Sequence, residues 1–354
     1  MEKYKRFTDP ATGINPFVPS VSVAVGTGRS ILALIAAPAL AISALIAAVV
    51  YAVFGALPYA LLGSLASPLH FVAVKLAGHI LLASAAWLKL SVVPYPTRAS
   101  AIGGGNGKNE LSPRAGDVVF ANLQSPLDPL VLQMAFAWRP LAFVFPRGTT
   151  DPSDVADADS VFVESSLTAA MARTLRLTTA AASFDGPATS SKPLRPLDVA
   201  PLQRKATRSG RTLVVFPEGA TTNGRGLLRM PACVCSPDHE LFLAGVAYGN
   251  VAHPAPVVSP AASLAGWLFG HCLAWSVGAP STVDVAVVRK SHRPPVPSAF
   301  AGDWAASLQA KLGQAVSFNR PTDKPCRPLA SSAYDKERFL CQWGQYNDAA
   351  KKSS

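Results

Sequence analysis

Charge is scarce in this 354-residue chain: 15% of positions are Asp, Glu, Lys or Arg, where a typical globular protein has about 25%. With 49% hydrophobic residues beside that deficit, the sequence is neither a disordered chain nor a coiled coil. It carries more apolar side chain than a soluble core needs, which points to a membrane. Acid is scarcer than base, 21 Asp and Glu against 32 Lys and Arg, and 32 − 21 leaves a net charge of +11. The basic residues are scattered and no basic run is interleaved with aromatics, so a single-strand nucleic-acid platform is excluded. A surface facing anionic lipid suits the charge better, at about 1 kcal/mol per nearby Lys or Arg. Cysteine is limited to five residues (Cys233, Cys235, Cys272, Cys326 and Cys341) without the paired spacing of a zinc site, so reduced thiols and no metal are expected. The Asn-x-Ser/Thr sequon is absent, in keeping with a main domain that never faces a lumen.

One run lacks charge entirely. From Ile31 to Phe54 no ionisable side chain occurs other than Tyr51, and about 20 such residues span the ~30 Å hydrocarbon core. The run is too long, and starts too far in, for the apolar part of a cleaved signal peptide. A second apolar segment, Phe71 to Val93, contains Lys75, His79 and Lys89, which share one sector of a helix at about 100° per residue. It is expected either to lie in the interface with its cations toward the headgroups or to return as the second arm of a hairpin, and a hairpin or half-embedded form is favoured. Residues 55–70 contain no Lys or Arg while both flanks do, which puts both flanks in the cytosol. The chain then divides into a polar N-terminal segment (1–30), a membrane anchor (31–95), a linker (96–116), a main domain (117–318) and a polar C-terminal tail (319–354). The linker's glycines before Lys108 do not make a nucleotide-binding loop, because Ile102 stands where the first Gly belongs and Asn109 replaces Ser/Thr.

Past the linker, β-rich runs at 117–121, 141–145, 212–216, 242–247 and 283–288 alternate with helical stretches near 127–137, 165–177, 197–209 and 302–315. That alternation predicts an α/β fold: a mixed, largely parallel sheet flanked by helices and preceded by an N-terminal transmembrane or hairpin helical anchor. The uncharged stretch from Pro254 to Val283 reads equally as an interfacial patch or a core helix. Two constellations stand where a strand runs out into a loop, the place where such sheets hold ligands. The first is Asn122-Leu123-Gln124-Ser125-Pro126-Leu127-Asp128. The second is Phe216-Pro217-Glu218-Gly219-Ala220-Thr221-Thr222-Asn223-Gly224-Arg225-Gly226.

With Arg204, Lys205, Arg208 and Ser209 ahead of it, the run Gly-Arg-Thr-Leu-Val-Val-Phe-Pro-Glu-Gly-x-Thr-x-Asn-Gly over 210–224 resembles the glycerolipid acyltransferase family. Those enzymes acylate glycerol-3-phosphate or its lysophospholipid products. The Pro-Glu-Gly-x-Thr-Thr-Asn-Gly-Arg-Gly-Leu-Leu form resembles the endomembrane branch acting on 1-acylglycerol-3-phosphate (lysophosphatidic acid). The likeness covers roughly residues 117 to 290. In the first block Asn122, Ser125, Pro126, Leu127 and Asp128 match the family's pattern of His, four residues, Asp, but Leu123 holds the His position. In the family mechanism the His takes the proton of the acceptor hydroxyl as it attacks the acyl-CoA thioester, and the Asp orients the imidazole. Leu has no lone pair, and the Gln124 amide is not a useful base.

The resemblance implies acyl-CoA as co-substrate with no bound cofactor or metal, and as partners a lysophospholipid acceptor and membrane lipid. On it, Arg225 grips a dianionic headgroup in a bidentate fork. Thr221, Thr222, Asn223 and backbone N–H groups freed by Gly219, Gly224 and Gly226 complete the cradle. Pro217, Glu218 and Gly219 shape the loop, and Asn122, Gln124, Ser125 and Asp128 position the acceptor. Asp128, Gln124 and Glu218 are the catalytic candidates. Plainer readings stand beside these: Pro217-Glu218-Gly219 as a strand-ending turn, Asp128 as the N-cap of a helix over 129–137, and Arg147 as a solvated loop residue. The proton acceptor is unassigned, with His239 and His253 following the second block and the acceptor's own phosphate as an alternative. A general base contributes about 10²–10⁴-fold, so its loss leaves two functions open. One is acyl transfer to 1-acylglycerol-3-phosphate giving phosphatidic acid; the other is an inactive relative that binds or traffics lipid. The end, Lys351-Lys352-Ser353-Ser354, resembles a dilysine retrieval signal and implies the endoplasmic reticulum membrane with a cytosolic domain, lipid droplets being a second address. A frayed polar tail is its plain alternative.

Overall fold

The computed structural model describes residues 5, 7–17, 42–43, 45–47, 49–86, 89–95, 112–146, 161–164, 166–176, 197–248, 282–296, 302–318, 326–331, 335–336 and 339. The start of the first apolar run (31–41), most of the glycine-rich linker, Arg147, His253, the stretch 254–281 and the tail 351–354 lie outside them.

A helical hairpin comes first. The run Leu45–Leu62, which contains a π-turn over Tyr51–Ala56 and α1 (Leu57–Leu62), is the one helix among the described residues long and apolar enough to cross a membrane by length and composition. Gly63, at φ 60°, ends it in a conformation that costs glycine little. A single 3₁₀ turn, Gly63–Ala66, leads into α2 (Ser67–Ala86), which packs back against the π-turn. His70 lies inside the hairpin, with Nδ1 3.3 Å from the Gly55 carbonyl and the rings of Tyr51 and Tyr59 beside it. The outer side is apolar and open: Leu45, Val53, Leu61, Leu65 and Val72 are exposed, a patch of the kind that marks a membrane or partner surface.

Among the described residues the rest of the fold has eleven strands: β1 (Lys89–Tyr95), β2 (Val118–Ala121), β3 (Leu141–Pro146), β4 (Val161–Glu164), β5 (Leu197–Asp198), β6 (Thr212–Val215), β7 (Gly226–Leu227), β8 (Cys233–Val234), β9 (Leu241–Tyr248), β10 (Thr282–Val288) and β11 (Arg327–Pro328). The helices among them are α3 (Asp128–Ala135), α4 (Leu167–Arg176), α5 (Ala200–Arg208) and α6 (Gly302–Ser317). Seven strands form the main sheet in the order β1-β10-β9-β2-β6-β3-β4. The central four, β9, β2, β6 and β3, are mutually parallel, while β10 and β4 run against their neighbours β9 and β3. This is the α/β architecture with a mixed, largely parallel sheet that the alternating pattern predicts.

Six of these strands were not foreseen: β1 and β4 in the main sheet, and the two-residue strands β5, β7, β8 and β11, the first of them inside a stretch read as helical over 197–209. The apolar segment read to Val93 as one helix stops being helical at Ala86, and Lys89–Tyr95 pairs with β10 instead. Lys89 therefore does not share a helix face with Lys75 and His79. Val92 and Val93 favour the pleated surface, and Pro94, which has no N–H to give, is tolerated because β1 is an edge strand.

Period-two alternation divides the sheet between two cores. Val119, Ala121, Phe143, Phe145 and Val214 face α3, α4 and the hairpin's Val74 and Leu82. Val118, Phe120, Val144, Leu213 and Val215 face α5 and the Trp304, Leu308 and Leu312 side of α6. Burial on both faces is why the strands read as near-continuous apolar runs. At Gly245 the backbone of α6 comes too close for any side chain: a Cβ would lie 2.6 Å from Val316 N and 2.7 Å from Ala315 C. Gly245→Ala is expected to destabilise the fold by about 1–3 kcal/mol, measured as a lower urea midpoint in detergent.

Segments from opposite ends of the chain meet over the loop after β6. Phe7 and Phe17 contact the ring of Phe339 at 5.3 and 5.6 Å between centroids, and Ala330 N donates to Asp9 Oδ2 at 2.9 Å. β11 pairs with β7 in parallel.

Candidate functional site

Because β9, β2 and β6 are parallel neighbours, their C-terminal ends lie side by side. The sheet thus brings together the first block after β2, the second after β6, and Val246–Tyr248 at the end of β9. Where the β2–β9 backbone ladder stops at Ala121–Ala244, the Asn122 side chain continues it. Asn122 Nδ2 donates to Val246 O at 3.0 Å, and Val246 N donates to Asn122 Oδ1 at 2.7 Å. Gln124 Nε2 donates to the same carbonyl at 2.8 Å. Both amides are buried and fasten the loop to β9.

Asp128 opens α3 and reaches backwards. Its Oδ2 accepts from Gln124 N and Ser125 N, the latter at 2.9 Å, and its Oδ1 accepts from the Tyr248 hydroxyl. The expected N-cap role is corrected: the capping position is Leu127, and the Asp128 carboxylate binds the loop before the helix rather than the turn within it. Ser125 Oγ accepts from Leu127 N at 3.2 Å, which keeps the loop compact. Burial drives the Asp128 carboxyl up to about 6, against the opposing pull of Tyr248 and the two N–H donors.

Glu218 joins the two blocks. Pro217 ends the β6 ladder, since Phe216 N still donates to Val144 O at 3.0 Å and proline has no donor to follow it. Gly219, at φ 63°, makes the turn that sends the Glu218 side chain inward. Glu218 Oε1 accepts from Leu123 N at 3.1 Å and Oε2 from Leu228 N at 3.0 Å. Thr222 N adds a backbone bond to Leu123 O at 3.1 Å. Burial raises the Glu218 carboxyl to about 8, outweighing these two N–H donors, and the nearby Asp128 charge pushes the same way. Glu218 is thus a brace with both oxygens occupied by backbone.

The outer part of the second block splits in two. Thr221 and Thr222 are fully buried and hydrogen-bonded within the protein, Thr221 to Lys336 and Thr222 to Gly224 N. Asn223 ties the loop to the N-terminal segment through Asn15 O and Pro16 O. Arg225 alone of the block's charged residues is turned to solvent, and its guanidinium bonds to none of the described residues. It remains available to an anion.

No described histidine reaches Asp128 or Glu218. His239 contacts Thr207 Oγ1 at 3.2 Å and lies 4.0 Å from Asp117, beside the start of β2 and therefore at the opposite edge of the sheet. His292 follows the end of β10, which runs against β9, and so is at that far edge too. His70 and His79 bond within the hairpin.

Two residues escaped the sequence reading. Tyr248 had a usable signal: a polar residue ending the strand beside β2, on the side of the sheet where both blocks emerge. Lys336 had none, because its partners Thr221 and Phe17 are far away in sequence. The chain is 26% identical over 234 residues to a Schizosaccharomyces pombe protein named "Putative lysophosphatidic acid:oleoyl-CoA acyltransferase", a match covering 66% of this chain and 68% of the relative. No family model and no solved structure matches it.

Proposed function

We propose that this chain is a membrane-bound acyltransferase that moves a fatty acyl group from acyl-CoA to 1-acylglycerol-3-phosphate, giving phosphatidic acid. The observation that carries the reading is the Glu218 brace: it joins the loop holding Asp128 to the loop holding Arg225, residues 95 positions apart from Leu123 to Glu218. An anion-binding guanidinium and a buried carboxylate then share one edge of the sheet, where an acceptor with a phosphate and a free hydroxyl needs both. The fission-yeast relative supports acyl transfer as the reaction class. The apolar outer side of the hairpin supports a membrane as the place where the acceptor is met, each buried methylene contributing about 0.8 kcal/mol. Arg225 binds the headgroup, Thr221, Thr222, Asn223 and Gly219 shape its loop, and acyl-CoA serves as co-substrate with no cofactor. The endoplasmic reticulum, with the domain in the cytosol and lipid droplets as a second address, is the proposed location.

Leu123 favours a second reading, an inactive relative that binds or carries lipid. Full-length protein in phosphatidylcholine vesicles, given radiolabelled oleoyl-CoA and 1-oleoylglycerol-3-phosphate, separates the two. Labelled phosphatidic acid well above the protein-free background is expected. Lipid binding without product, across several lysophospholipids, would select the second reading.

A further inference from the structure

The acyltransferase reading leaves a chemical gap, since position 123 carries no base and no described imidazole stands near Asp128. What does stand there is a phenol. The Tyr248 hydroxyl donates to Asp128 Oδ1, and Asp128 Oδ2 is taken by the N–H groups of Gln124 and Ser125. In the pattern His, four residues, Asp, the Asp serves as the anionic support of the group that meets the acceptor hydroxyl, and here the side chain hydrogen-bonded to that Asp is Tyr248. The Ser125 side chain also hydrogen-bonds to the phenol, so Tyr248 is held from two sides.

Exposure decides which member of the pair substrate can touch. Asp128 has 0% of its surface accessible and the Tyr248 residue 8%, so the carboxylate is closed to an incoming hydroxyl and Tyr248 is the member of the pair nearer the surface. Resting on the acyltransferase reading, we propose that Tyr248 is the catalytic residue that takes the acceptor's proton while passing its own to Asp128, the pair replacing the histidine absent at position 123.

The proton and electron count closes without any further reactant. The acceptor oxygen attacks the thioester carbon and a C–O bond forms. Its proton moves to Tyr248 Oη as the phenolic proton moves to Asp128 Oδ1. The C–S bond then breaks, sulfur leaves with the electron pair, and the two protons run back so that the thiolate becomes a thiol and the protein returns to its starting form. Burial supports the direction of flow: it makes Asp128 a stronger proton acceptor than an ordinary carboxylate, and it raises Tyr248 well above an ordinary phenol, so Tyr248 passes a proton rather than ionising alone.

The test compares wild type, Tyr248→Phe, Leu123→His and the double variant as full-length proteins in vesicles, reading kcat and KM for oleoyl transfer to 1-oleoylglycerol-3-phosphate. Tyr248→Phe should lower kcat by about 10²–10⁴-fold with KM for both substrates nearly unchanged. Leu123→His alone sets the activity and stability baseline for the double variant, and in the Tyr248→Phe background it should restore at least about a tenth of the lost kcat, because an imidazole at that position supplies a base where Leu123 has none. That rescue keeps the test decisive even where Tyr248→Phe alone loosens the fold. Wild-type kcat in Tyr248→Phe, or a double variant no faster than Tyr248→Phe, would overturn the relay and leave the acyltransferase reading standing. No product from the wild type would overturn both.

Discussion

Glu218→Ala is expected to abolish acyl transfer and to lower stability by about 2–6 kcal/mol, because two buried N–H groups, of Leu123 and Leu228, lose their acceptor at once. Both kinds of loss come from one cause. Without the carboxylate the loop after β2 and the loop after β6 keep the Thr222–Leu123 backbone bond but lose both Glu218 links, so the separation of Asp128 and Arg225 is less firmly held. Glu218→Gln keeps one acceptor and turns a side-chain N–H toward a backbone N–H, an intermediate loss. The Gln variant also exposes the pH signature of the brace. The carboxyl rises from its ordinary 4.5 to about 8 on folding, so between those values the folded state keeps a proton that the unfolded chain releases. Stability therefore falls as pH rises through that window, by an upper bound on the order of 5 kcal/mol. Asp128, raised from 3.8 to about 6, slopes the same way at lower pH. Urea denaturation from pH 5 to 8 checks this: wild type should lose stability faster than Glu218→Gln, and parallel curves would show that Glu218 is not held protonated by its surroundings.

How far the sequence foretells this site depends on whether a signal is local. The five central strand positions and four helices were legible because each run is apolar and bounded by turn residues, and both blocks were legible because a strand end and a loop motif are adjacent in sequence. The pairing of Lys89–Tyr95 with β10 was not, since an apolar run beside a helix carries no mark of where the helix stops. Nor was the job of Glu218. A carboxylate after a strand is legible as a surface turn or as a ligand, but its two acceptor bonds go to Leu123 and Leu228, set by tertiary packing alone. The same holds for Thr221: a hydroxyl in a glycine-rich loop reads as a phosphate contact until a lysine from the far end of the chain is found to occupy it.

That lysine provides the clearest stability test in the molecule. Lys336 is buried beneath the loop, donating to Thr221 O at 2.9 Å and to Thr221 Oγ1 at 3.3 Å, with its ammonium 5.6 Å from the centre of the Phe17 ring. Burial pulls it from 10.5 down to about 7. Below pH 7 both folded and unfolded chains carry the proton, and the cost of enclosing the ammonium is fully present. Between about 7 and 10.5 the unfolded chain binds a proton that the folded chain lacks, so stability rises with pH, by an upper bound on the order of 5 kcal/mol. Lys336→Met removes the charge but leaves the Thr221 carbonyl without its donor, a loss of about 1–3 kcal/mol. The two effects have different pH dependence, so the sign of the substitution should change: Lys336→Met equals or exceeds the wild type in stability at pH 6 and falls below it at pH 9.5. Since the bond it removes anchors the loop that carries Arg225, KM for the phosphate-bearing acceptor should rise at every pH, even where the fold has gained. Equal stability differences at both pH values in urea denaturation would mean that the ammonium is solvated through an opening, and that the loop is fastened by Asn223, Asn15 and Pro16 rather than by the buried lysine.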